Sequence, residues 1–137
     1  MSIEWVMMLP LKVFTTLKGN FSQTIKDSYS MADNNFTTLE SSDTNAVFPL
    51  VYFSSLPTSE RGMDLQGSTI NAGLFAFQID VTDNQSQSRA RKVMTECMRI
   101  MKEMGFEVIS MPNFTSTTDT HRMSARFRRI IGGNDII

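Results

Sequence analysis

The sequence predicts an α+β domain: one mainly antiparallel sheet of about four strands, with an N-terminal helix and a second helix over 84–104 packed on one face. Three observations lead there. Two stretches repeat apolar residues at helical spacings of three and four. Two others alternate apolar and polar residues at the period of a half-buried strand. The order of segments is helix, strand, long loop, strand, helix, strand, strand, which suits a sheet with its helices gathered on one side.

Val13, Phe14, Leu17, Phe21 and Ile25 form the first helical stripe. Pro10 suits a first-turn position, where its missing N–H costs nothing. The Gly19-Asn20 pair weakens the middle of the stripe, because glycine costs a helix interior about 1 kcal/mol against alanine. Residues 30–46 are rich in Ser, Thr, Asn and Asp and read as a connecting loop. The run VFPLVYF over 47–53 is a strand, with Pro49 expected at its start or on a sheet edge because it cannot donate to a ladder.

Residues 54–73 carry one proline and three glycines, a long linker that is expected to act as an extended loop or arm. Leu56, Met63, Leu65 and Ile70 are more apolar than a solvent loop needs, and with Glu60, Arg61 and Asp64 they are candidates for contact with a neighbouring subunit. The clearest strand covers 74–82, where Phe75, Phe77, Ile79 and Val81 alternate with Ala76, Gln78, Asp80 and Thr82. The second helix follows. Ala90, Val93, Met94, Cys97, Ile100, Met101 and Met104 form its stripe, and Glu96 falls with the charged residues mainly outside it. Ser86 or Ser88 is placed to cap its start, and Gly105 its end. A hairpin closes the chain: 106–111 up, a turn through Pro112-Asn113 and 115–120, and 121–131 back.

The whole chain, 137 residues with 41% apolar and 20% charged side chains, is read as one domain, large enough for a core without disulfides. No apolar run is long enough to span a bilayer, and MSIEWVMMLP lacks the basic start and cleavage site of a signal peptide. Eleven methionines offer adaptable filling for a core. The net charge of −1 hides a division: residues 89–129 hold nine basic and four acidic side chains, residues 1–88 four basic and nine acidic. Opposed charge of this kind suits stacking or ring assembly as well as polyanion binding.

The chain offers little for catalysis. His121 is the only histidine, and Cys97, the only cysteine, sits in an apolar helical stripe where a thiol is inert. No zinc-ligand set and no phosphate-binding glycine loop is present. Asp80 and Asp83 make a poor cation pair, so no enzyme activity, metal or cofactor is expected. The strongest candidate site is HRMSARFRRIIGG over 121–133. On a strand, Arg122, Arg126 and Arg128 share one face with Ser124, while Met123, Ala125, Phe127 and Ile131 share the other. Arg129 falls on the apolar side and needs a carboxylate, an escape route at the strand end, or a bulge. The arginine row is expected to face an acidic neighbour or a polyanion, or to be a solvated sheet face. No helix-turn-helix, zinc finger or aromatic platform accompanies it.

The series FPLVYF, MDLQGS, LFAFQIDVTDN, SRARKVMTECMRIMKEMGF, MPNFTSTTDTHRMSARFRRII and NDII resembles the tail-completion or tail-terminator proteins of long-tailed phages, and is most similar to neck proteins of phages and prophages of Gram-positive bacteria. The likeness covers about residues 10–137 and is most specific in the FP strand, the strand ending D-x-x-D-N, the helix closing on MGF and the PNF…HRMSARFR hairpin. It implies a non-enzymatic virion protein at the head–tail junction, forming a homohexameric ring that ends tail-tube growth. The implied partners are further copies of the chain, the tail-tube protein and the head connector or stopper. Genomic DNA would pass through the lumen, no membrane is involved, and the host cytoplasm is the place of assembly. A stopper or other joining protein of the neck, or a nucleic-acid-binding regulator using 89–129, are the alternatives.

Overall fold

The computed structural model describes residues 4–38, 47–58, 60–61, 72–116, 120–132 and 135. The elements in chain order are α1 (Glu4–Gly19), α2 (Gln23–Ser28), a 3-10 turn (Asp33–Asn35), β1 (Phe36–Thr37), β2 (Leu50–Leu56), β3 (Glu60–Arg61), β4 (Ala72–Asp83), α3 (Gln87–Glu103), β5 (Glu107–Ser116) and β6 (His121–Gly132). The sheet order is β1-β2-β4-β6-β5, with β3 also beside β4. Every pairing is antiparallel except β1 with β2. Of the four long strands, β4 and β6 follow the predicted alternation, while β2 and β5 lie at the expected β-rich run and hairpin arm and run further along the chain than expected. The two-residue strands β1 and β3 add the rest, and are too short for any side-chain period to reveal them.

Phe75, Phe77, Ile79 and Val81 of β4 and Met123, Ala125, Phe127 and Ile131 of β6 are buried, and one apolar cluster joins them to Leu9, Val13, Phe14 and Leu17 of α1 and to the α3 stripe. An aromatic path crosses the core from Phe14 to Phe53, Phe77 and Phe106, with centroids 4.8–5.6 Å apart. The opposite sheet face carries no helix among the described residues.

Four expectations change. α1 begins at Glu4, so Pro10 lies inside the helix and not in its first turn. An interior proline forfeits a backbone hydrogen bond at a cost of about 3 kcal/mol, and burial of Leu9 and packing of Trp5 on Phe75 (5.8 Å) oppose that cost. The stripe through Ile25 is two helices: the chain breaks at Gly19-Asn20, and Ser22 restarts it by accepting the Ile25 N–H. The strand over VFPLVYF starts after Pro49 and runs on to Leu56, so the expected 54–73 loop is in part strand. Leu56 opposes Ala76 across β2 and β4, and Glu60 and Arg61 pair with Gly73 and Ala72. Finally, Pro112-Asn113 is not a turn. β5 passes through it at the sheet edge, with register shifts between Val108 and Ser110 and between Ser110 and Asn113. An edge strand with bulges tolerates a residue that has no N–H.

α3 has the ends its sequence signals. Ser86 accepts the Arg89 N–H at 3.2 Å. At the other end Gly105, at φ +86°, donates to Lys102 and Phe106 donates to Met101, closing the two bonds of a Schellman motif. No helix of the described residues is long and apolar enough to cross a membrane.

Candidate functional site

Strand alternation decides what lines the open face. In β6 the even positions Arg122, Ser124, Arg126 and Arg128 point away from the helices; in β4 the even positions Gln78 and Asp80 do the same. The register sets Ser124 opposite Asp80, Arg126 opposite Gln78, and Arg128 opposite both Ala76 and Glu107.

Asp80 is the centre of this arrangement. Although it lies on the uncovered face it is buried, screened by the side chains it binds. The Gln78 amide donates to its two carboxylate oxygens at 3.1 and 3.2 Å, the Ser124 hydroxyl donates a short hydrogen bond, and the Arg122 guanidinium stands at 3.4 Å. Gln78 then uses its carbonyl oxygen to accept from Arg126 Nε at 2.9 Å. The carboxylate therefore orients the amide, and the amide orients the next arginine. Arg128 makes a looser pair with Glu107 at 3.5 Å, both side chains exposed. Exposed pairs of this sort contribute about 0–1 kcal/mol.

Three arginines against Asp80 and Glu107 leave a local balance of +1. The positive ends stand toward solvent while one of the two carboxylates is sunk beneath them, so the row presents more positive charge than the balance suggests. It is a preset cationic strip of moderate strength. Its far end opens into a depression of about 420 Å³ lined by Leu74, Gly105, Glu107, Arg128, Arg129 and Ile130.

Arg129 takes the escape route. It lies in the row of Phe127 and Ile131, but its guanidinium reaches past the end of α3 and donates to the Met104 carbonyl at 2.6 Å. The negative end of the helix dipole favours a cation there. A β-carbon at Gly105 would meet the Arg129 guanidinium at 3.2–3.3 Å, so the two positions fit each other closely.

Of the loop residues proposed for subunit contact, Leu56 stands in β2, and Glu60 and Arg61 stand in β3. Met63, Asp64, Leu65 and Ile70 lie outside the described residues. Asp80 and Asp83 point to opposite faces of β4 and do not converge on a cation; among the described residues no group of three potential ligands gathers. Cys97 is fully buried, and burial, with the nearby Glu96 charge, pushes its thiol far above the usual range. A thiol reagent is expected to label Cys97 only on the timescale of unfolding, which mass spectrometry of a labelling time course checks.

The sequence reading missed Gln78 and Ser124 as organisers and Glu107 as a partner of Arg128. Parity along β4 and β6 was a usable signal, but only once the two strands were known to be neighbours in this register. No family model matches the chain, and none of the curated proteins matches it.

Proposed function

We propose that the chain is a structural subunit of a phage neck: a ring-forming tail-terminator or tail-completion protein that caps the tail tube and joins it to the head connector. The resemblance in segment order suggests the role. The geometric observation that supports it is the sheet face left uncovered by helices, with Arg122 and Arg126 held in place by Asp80 and Gln78. Cationic side chains already held in position lose less freedom on docking than mobile ones. In this reading the strip meets an acidic surface of the next copy in a hexameric ring, or faces the lumen through which genomic DNA passes. The tail-tube protein and the connector or stopper are the further partners, and the protein works in the virion. A different neck protein such as a stopper would share these features.

The same strip favours one other reading, a nucleic-acid-binding regulator. Mass measurement at high concentration and electron microscopy of particles separate the two. Rings, and density at the head–tail junction, are expected. A protein that stays monomeric and binds free duplex DNA with a steep salt dependence would refute the neck assignment in favour of the regulator.

The arginines give a sharper result. Arg126→Ser with Arg128→Ser removes about 0–1 kcal/mol per residue from the folded chain, so the melting temperature should stay within a few degrees while ring assembly weakens, most visibly at low salt. Arg122 is the less clean probe, because its loss leaves buried Asp80 with neutral donors alone. Arg129→Ser is the opposite control: it removes a charge-assisted bond worth about 1.5–3 kcal/mol and should lower stability with no specific effect on assembly.

A further inference from the structure

Three buried polar atoms have no hydrogen-bond partner among the described residues: Asp83 Oδ1, Arg89 Nε and His121 Nδ1. They belong to the end of β4, the first turn of α3 and the start of β6. The fold brings these residues to one corner. Asp83 and His121 stand directly opposite each other in the β4–β6 register. Both continue the odd-numbered rows that turn toward the helices. Cross-strand pairs on one face hold their β-carbons about 4.5–5.5 Å apart. Arg89 reaches the same carboxylate, with Nη2 at 3.5 Å from Oδ1 and Nε on the same rigid guanidinium. The corner is closed to bulk solvent. Asp83 is fully buried, the Arg89 side chain is only 16% exposed, and the Tyr29 ring covers its guanidinium at 4.9 Å. Polar atoms withdrawn from water need partners, and here the protein supplies none.

We infer that Asp83, Arg89 and His121 together bind one internal water molecule, which ties the first turn of α3 to β4 and β6. The count of donors and acceptors selects that occupant. Asp83 Oδ1 accepts and Arg89 Nε donates. An imidazole with its hydrogen on Nε2 offers Nδ1 as a second acceptor. The corner therefore calls for a molecule with two hydrogens to give and one lone pair to receive. Water has that set, and an internal water typically makes about three hydrogen bonds. An alcohol has a single hydrogen and leaves one acceptor unmet. A cation would be buried against Arg89 and an anion against Asp83, each beside a like charge. A metal ion also lacks its ligands, since no group of three potential ligands gathers among the described residues. The water does not compete with the turn before α3, because the Gln85 and Ser86 N–H groups take the other oxygen, Asp83 Oδ2. His121 acts here as a positioning residue for α3. The inference does not depend on the neck assignment.

NMR of the full chain, with its side-chain nitrogens labelled, carries the test. At about pH 8, where imidazole is neutral, His121 should carry its hydrogen on Nε2. The Arg89 Nε–H should give a through-space cross-peak to a water that tumbles with the protein. His121→Phe keeps a ring at the position but removes the acceptor. It should speed solvent exchange of the Arg89 Nε–H by about fivefold, the factor for one hydrogen bond. His121→Asn places an amide oxygen near the position of Nδ1 and should restore the slower rate. If His121→Phe disturbs the fold, the two wild-type measurements decide alone. A hydrogen on Nδ1 would overturn the inference, because His121 would then be a donor facing the Asp83 carboxylate with no need of a water between them. So would a missing water cross-peak at Arg89, or equal exchange rates in the wild type and the phenylalanine variant.

Discussion

Asp83→Ala is expected to lower the stability of the folded chain by about 3–5 kcal/mol, the range for removing one partner of a buried ion pair. Asp83 is fully buried on the helix side of β4 and does three things at the junction with α3. One carboxylate oxygen accepts the backbone N–H groups of Gln85 at 3.2 Å and Ser86 at 3.0 Å, fixing the turn that leads into the helix. The other faces Arg89 at 3.5 Å. Arg89 is itself mostly buried and lies over the Tyr29 ring at 4.9 Å, so it cannot turn to water without giving up that contact. Alanine leaves the guanidinium without its carboxylate and the turn without its acceptor. Asp83→Asn retains an acceptor for the two N–H groups but not the charge, and should fall between the alanine variant and the wild type. Denaturant unfolding at neutral pH measures both. A loss below about 1 kcal/mol for the alanine variant, the scale of an exposed pair, would show that the Arg89 pair is not a buried one.

The second large effect is at Glu96, and it depends on pH. Glu96 belongs to α3 but is buried against the break between α1 and α2, where it accepts the Ser22 N–H at 2.8 Å and the Arg99 Nε at 2.8 Å. Arg99 also donates to Glu103 at 2.7 Å and to the Asn20 carbonyl at 3.3 Å, joining α3 to the same break. The Arg99 hydrogen bond, aided by its charge and by the Ser22 N–H, holds the Glu96 carboxyl below its ordinary value of 4.5 in spite of burial. A folded-state value below the unfolded one adds stability that is complete above about pH 4.5 and is lost as pH falls through the lowered value. Glu96→Ala should therefore cost about 1.5–3 kcal/mol at pH 7, the range for hydrogen bonds to a charged group. The gap between variant and wild type should narrow as the pH drops below 4.5, since the wild type then loses the same charge. Unfolding curves at neutral and acid pH test this. A gap that does not change with pH would mean that Glu96 acts through packing and not through its charge.

These two residues show where the sequence alone stopped. Period and end signals were enough for α3, β4 and β6, but not for the bounds of α1, β2 and β5. The three- and four-residue spacing marked both main helices, Ser86 and Gly105 marked the ends of the second, and alternation in 74–82 and 121–131 placed Phe77 and Phe127 inside and Arg126 and Arg128 outside. Such patterns are legible because they arise from geometry within one element, which every residue of that element shares.

What needed the tertiary structure was each feature that depends on which elements meet. β1 and β3 exist only because a neighbouring strand offers them a ladder. Pro112 is tolerated in β5 because β5 is at an edge, and no local rule states that. Glu96 looked like a surface residue because its helix face is mixed, and only the arrival of the Ser22 N–H from another segment makes it a cap. Asp80 looked exposed by alternation, yet it is buried because Gln78 on its own strand and Arg122 and Ser124 on the adjacent one fold over it. Polar partners separated by tens of residues leave no period in the sequence, since a hydrogen bond constrains distance in space and not spacing along the chain.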